Sequence, residues 1–97
     1  MELISTGQVN EYLRQAPEWT LENNGKSIKK IFEFQDFDWA VIFINKIAEI
    51  VEEEGHCPEM RLYDQNKVEV ILTTPALGGL TEKDFKTATE IDGLTYE

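Results

Sequence analysis

Between Asp36 and Gly55 the chain carries a helical pattern long enough to decide how everything else must pack. Phe37, Ala40, Val41, Ile44, Ile47, Ala48 and Val51 recur at helical spacing along one face, which is assigned to the core. A second set, Trp39, Phe43 and Ile50 with Ile42 beside it, points elsewhere, so the apolar arc is wider than one side of a small sheet can cover. Asp36 is a good N-cap for this helix. A chain of 97 residues has room for one domain, 1-97, with one modest core, so burial between subunits is expected to supplement it. The second set therefore predicts a homodimer or homotetramer through the 37-54 helix. Coverage of that set by the first helix of the same chain is the alternative.

The segments on either side read as hairpins. Ser5 or Thr6 can cap a first helix with Val9, Tyr12 and Leu13 at helical spacing, and Pro17 ends it. Trp19 and Leu21 alternate with Thr20 and Glu22, and Asn23-Asn24-Gly25 supplies a turn tolerant of positive φ. Ile28, Ile31 and Phe32-Glu33-Phe34 follow. Lys29-Lys30 break the alternation, which predicts an edge position or a bulge there. Beyond Pro58, Met60 to Tyr63 and Lys67 to Leu72 form the second pair, with Val68, Val70 and Leu72 on one face. Thr81-Glu82-Lys83-Asp84 is a capping box opening a last helix with Phe85, Ala88 and Ile91 inward. The order is α-β-β-α-β-β-α. Its economical packing is α+β, a four-stranded antiparallel sheet with helices packed on one face. Trp19, Phe37 and Leu72 are read as core.

The end of the long helix is where a local rule breaks. Glu52, Glu53 and Glu54 fill its last turn, although negative charge there opposes the macrodipole by roughly 0.3–1 kcal/mol per group. Gly55 can take positive φ and close the helix, and Pro58 keeps Cys57 out of the helical region, so His56 and Cys57 sit on a short corner. These are the chain's only histidine and only cysteine. An ordinary helix stop with solvated acids is the plain alternative. Glu52, four residues before His56, would share its side and fix its tautomer if the turn continued, a register that Gly55 can break. Adjacent His56 and Cys57 lack the spacing of a zinc site, so no metal and no cofactor are expected. They also lack the alignment of a nucleophile and its base. Gly78-Gly79 has no P-loop lysine after it. Capping alone would account for Asp84.

Charge narrows the partners. With 9 basic and 19 acidic residues the net charge of -10 repels phosphate backbones, so no direct nucleic-acid contact is expected. The N-terminal residues lack the regions of a signal peptide, no apolar run approaches a membrane span, and one cysteine cannot form an internal disulfide. A cytoplasmic location is the resulting expectation, with no membrane contact.

The order Trp19, Phe32-Glu33-Phe34, Phe37, Ala40, Phe43, Glu52, His56-Cys57-Pro58, Asn66-Lys67-Val68, Leu72-Thr73-Thr74-Pro75, Gly78-Gly79-Leu80-Thr81, Asp84, Ala88 and Ile91-Asp92 resembles pterin-4a-carbinolamine dehydratase. The resemblance covers nearly the whole chain from about Leu13. It implies removal of water from 4a-hydroxytetrahydropterin to give quinonoid dihydropterin, a pterin pocket beside the His56 corner, and in some members a role as dimerisation cofactor of a homeodomain transcription factor. Carried over residue by residue, it gives Glu52, His56 and Cys57 as catalytic candidates and Pro58, Thr73, Thr74, Pro75 and Asp84 as substrate-binding candidates. The family pattern has a second histidine where Cys57 stands and a further one where Pro75 stands, and its tyrosine before Asn-Lys-Val is matched by Gln65. General acid–base work at neutral pH suits imidazole, whose unperturbed pKa is about 6.5, and only one imidazole remains. A weak dehydratase is expected. The alternatives are a non-catalytic or differently specific pterin binder, such as one in molybdopterin-related metabolism, and an oligomerising protein-interaction module.

Overall fold

The computed structural model describes residues 2–94, and within them the element order follows the local signals closely. Helix α1 spans Thr6–Gln15 and begins in a capping box: Gln8 N–H donates to Ser5 Oγ at 3.3 Å, and Ser5 N–H donates to Gln8 Oε1 at 3.0 Å. Strands β1 (Thr20–Glu22) and β2 (Ser27–Glu33) are joined through Asn23 and Asn24, with φ of 54° and 56°, and Gly25 at 80°. Asparagine tolerates this region better than most residues, which is why the turn needs only one glycine. Helix α2 is Phe37–Glu54, with Asp36 accepting from Trp39 N–H at 3.0 Å. Strands β3 (Glu59–Tyr63) and β4 (Lys67–Leu72) turn through Asp64 and Gln65, both at positive φ, and helix α3 is Glu82–Asp92.

All pairings are antiparallel, in the order β1-β2-β4-β3. The second strands of the two hairpins thus form the centre of the sheet, and Asn66 ties them by donating its side-chain amide to Phe34 O at 2.9 Å. This corrects the expectation for Lys29-Lys30. β2 is an interior strand, and its register runs unbroken from Ile28↔Leu72 to Glu33↔Lys67, with no bulge. The lysines are accommodated by acids rather than by an edge. Lys29 pairs with Glu22 at 3.1 Å, while Lys30, on the core side, meets Asp92 at 2.7 Å and Glu18 at 3.0 Å and lies over the Phe32 ring. Burial alone would lower the Lys30 pKa, but the hydrogen bonds and charges of Asp92 and Glu18 outweigh it and hold the ammonium above its ordinary value.

Burial alternates along β4, with Val68, Val70 and Leu72 enclosed, so the helices cover one face. The phase of α2 differs from expectation. Its buried stripe is Ala40, Phe43, Ile47 and Ile50, because Phe43 fits between Phe32 and Phe34, at ring-centroid distances of 4.7 and 4.8 Å. Phe43 and Ile50 are therefore core within one subunit and need no partner copy. Phe37, read as core, is 52% exposed. It opens the neighbouring stripe of Phe37, Val41, Ile44, Ala48 and Val51, which is half-buried or exposed, with Ile44 and Val51 leaning on the core. Helix α1 packs on α3, where Tyr12 stacks on Phe85 at 5.1 Å.

Candidate functional site

Three segments converge on one buried carboxylate. Gly55, at φ 67° and ψ 22°, closes α2 through its N–H to Val51 O, and the reversed chain turns His56 inward while leaving Cys57 exposed. The loop after β4 is closed on itself: Thr74 N–H donates to Gly79 O at 2.9 Å, Pro75–Leu77 forms a single 3₁₀ turn, and Gly78 takes φ 71°. Thr81 then caps α3, and Asp84, three residues on, reaches back to accept from Thr81 N–H at 2.9 Å.

Asp84 does more than cap. Its Oδ1 accepts from His56 Nε2, and its Oδ2 accepts from Thr74 Oγ at 2.8 Å besides Thr81 N–H. Thr74 and Thr81 hydroxyls are 3.0 Å apart. Asp84 and Thr81 are fully enclosed, and His56 is 9% exposed. A carboxylate removed from water is tolerable only when donors surround it, and here the helix N-terminus adds a favourable field. An ionised carboxylate can only accept, so a neutral ring facing one carries its proton on Nε2 and its lone pair on Nδ1. Among the described residues the only buried side-chain N or O atom without a partner is Thr87 Oγ, so Nδ1, which has no partner among those residues, is not sealed from solvent.

The remaining candidates fall unevenly around this pair. Glu52 is exposed on the far side of the αL break, and the carboxylate that meets His56 is Asp84, 28 positions along the chain. The register that would have joined Glu52 to His56 is thus interrupted at Gly55. Cys57 lies next to the imidazole in sequence, with Sγ 3.5 Å from Pro58 O, and Pro58 is buried. Thr73 hydroxyl donates to Lys26 O at 2.6 Å, which ties the loop to the first hairpin, and Pro75 is exposed at the loop's outer edge. Thr81 is the member that the sequence argument passed over as a cap. Its signal was the Thr-x-x-Asp spacing, which fixes Asp84 at the depth His56 needs.

The surface concavities include one of about 200 Å³ between α1 and α3, lined by Tyr12, Phe85 and Lys86, and one of about 420 Å³ beside Ile50 and Leu94. Neither is lined by the His56 corner or the 73–80 loop. Among the described residues no group of three or more His, Cys, Asp or Glu side chains could hold a metal ion, and no helix is long and apolar enough to cross a membrane.

Comparisons with known proteins agree with this geometry. The profile of the family described as Pterin 4 alpha carbinolamine dehydratase matches residues 2–94. Proteins of Chloroflexus aggregans and Trichodesmium erythraeum, each carrying a provisional pterin-4-alpha-carbinolamine dehydratase name, are 40% identical over 94 residues, covering 97% of this chain and 98% of theirs. A solved transcriptional coactivator/pterin dehydratase from Brucella melitensis superposes with a TM-score of 0.87 at 31% identity, over 94% of this chain and 96% of that one. A pterin dehydratase-like protein identified as a RuBisCO assembly factor in the alpha-carboxysome shares the fold, with a TM-score of 0.67 at 21% identity over 77% of this chain and 86% of that one.

Proposed function

The chain belongs to the pterin-4a-carbinolamine dehydratase family, and on that premise we propose that it binds a reduced pterin against the His56 corner and dehydrates its 4a-hydroxy form slowly. The observation that carries the reading is a single imidazole anchored at Nε2 by buried Asp84 with Nδ1 not sealed from solvent. Loss of water breaks the C4a–O bond while a proton reaches the departing hydroxyl and a ring N–H proton is given up. With one imidazole, His56 Nδ1 takes the ring proton and delivers it to the leaving oxygen, so the proton count closes without a second residue. Thr73, Thr74 and Pro58 shape the ground around it, and exposed Cys57 and Pro75 occupy the places of the family's two other histidines. Asp84, enclosed and fully bonded, acts through His56. The rate is low because each missing acid or base group withholds about 10²–10⁴-fold. An exposed free thiol suits a reducing cytoplasm.

Stopped-flow dehydration of freshly formed 4a-hydroxytetrahydropterin, run beside titration with a stable dihydropterin, tests this. Turnover by the wild type that His56→Ala lowers at least 100-fold is expected. Binding without turnover would instead favour a differently specific pterin binder. A second reading rests on α2: Phe37, Val41, Ile44, Ala48 and Val51 alternate at spacings of four and three, the seam by which helices of two copies pair. Homo-oligomer formation through that stripe is compatible with catalysis. It becomes the main function only if neither binding nor turnover is found.

A further inference from the structure

We infer that Thr74 is a positioning residue, whose hydroxyl orients Asp84 so that Nδ1 of His56, and not Nε2, is the nitrogen that exchanges protons with substrate. The inference deepens the dehydratase reading and rests on it for the identity of the substrate alone. The direction of each hydrogen bond follows from what each atom can do. Thr81 N–H can only donate, and it lies 2.9 Å from Asp84 Oδ2. Thr74 has one hydroxyl proton and two neighbours, Asp84 Oδ2 at 2.8 Å and Thr81 Oγ at 3.0 Å. The carboxylate is the stronger acceptor, so Thr74 donates to it and Thr81 Oγ donates to Thr74. The longer approach of Thr81 Oγ to Oδ2, at 3.5 Å, is then a secondary contact. Thr81 N–H, the Thr74 hydroxyl and His56 Nε2 thus all donate to Asp84, and the Thr81 hydroxyl supports Thr74 from behind.

The consequence is geometric. Two donors on Oδ2 fix the plane of the carboxylate, and with that plane fixed Oδ1 has one place to go, which is opposite His56 Nε2. Thr74 comes from the loop after β4, Thr81 and Asp84 from the start of α3, and His56 from the end of α2, so the carboxylate also locks the corner to both elements. Thr74 is enclosed, and valine matches its shape without its hydroxyl, so Thr74→Val removes the donor to Asp84 with little change in volume and at the cost of a buried hydrogen bond.

His56 is the only imidazole in the chain, so long-range ¹⁵N–¹H spectra report its tautomer without assignment. The wild type is expected to show the neutral ring protonated at Nε2. Thr74→Val should populate the Nδ1-protonated form and lower kcat about 10–100-fold with little change in KM, and Thr74→Ser should restore both. A wild-type ring protonated mainly at Nδ1 overturns the inference, and that measurement needs no variant. An unchanged tautomer and kcat in Thr74→Val overturns it as well. If Thr74→Val does not fold, a Thr74→Ser protein with a lower melting temperature and no rescue of the wild-type spectrum does the same. The spectra are read without pterin, so a protein with the expected tautomer and no turnover would refute the dehydratase reading while leaving the positioning role intact.

Discussion

Replacing Asp84 by Asn changes one oxygen to an amide and should invert the proton map of the site. The two oxygens of Asp84 are not equivalent: Oδ2 faces Thr81 N–H at 2.9 Å and the Thr74 hydroxyl at 2.8 Å, and Oδ1 faces His56. A backbone N–H cannot become an acceptor, so the asparagine oxygen must take the Oδ2 place and its NH₂ must face Nε2. Nε2 is then forced to accept, the ring proton moves to Nδ1, and the lone pair is directed into the protein. Loss of a correctly placed base costs about 10²–10⁴ in rate, and a wrong-tautomer change in a hydrolase triad costs about 10⁴. Dehydratase kcat in Asp84→Asn should therefore fall at least 100-fold, by the same stopped-flow assay, while pterin affinity stays within a few-fold. Replacing a buried charge-assisted pair with a neutral one should lower stability by about 1.5–3 kcal/mol, seen in urea unfolding. A folded Asp84→Asn protein with wild-type kcat and an Nε2-protonated ring would refute the argument.

Four further outcomes follow from the same structure. Thr87→Val removes a buried hydroxyl that has no partner and should raise stability by about 1 kcal/mol, measured as a melting-temperature gain of about 4–8 °C. Phe37→Glu, at the exposed start of the outer stripe of α2, should reduce the mass seen by light scattering to that of one chain without unfolding it, whereas Phe43→Glu should unfold the domain because Phe43 is fully enclosed. Lys30 has a raised pKa in the folded state, so its stabilisation is complete below the unfolded value of about 10.4 and disappears as pH rises through the folded one. The stability gap between wild type and Lys30→Met should accordingly narrow between pH 8 and strongly alkaline solution, and a constant gap would contradict the ion-pair account. The double variant Cys57→His, Pro75→His should outpace the wild type more than the product of the single changes, since acid and base act on one substrate.

Local chemistry was readable and tertiary choice was not. Asp36, Gly55, the Asn-Asn-Gly turn and the Thr81 box each depend on residues within one turn of themselves, and each sits where its sequence placed it. The phase of α2 depends on distant rings. Two apolar stripes share Ala40 and Ile47, and only Phe32 and Phe34, on another element, select the one that holds Phe43. Lys30 broke the strand pattern because the acid that accommodates it, Asp92, is 62 positions away. The site was legible as a set of residues but not as a circuit. His56 and Asp84 were both candidates, yet the nearby Glu52 was the partner the spacing offered, and a single left-handed residue at Gly55 moved the choice to α3.

The strand order has a bearing on how the chain comes to be folded at all. Each hairpin can close early through a short loop, but the pair that unites them, β2 with β4, has the whole of α2 between its strands. Loop-closure entropy is thus concentrated in one event, and the two halves gain their common apolar face only when it occurs. Asp84 and His56 lie on the far side of that event from β2. His56, Thr74, Thr81 and Asp84 all belong to the stretch after α2, so the proton circuit closes within one half of the chain, and it is the shared apolar face that waits for β2 to meet β4.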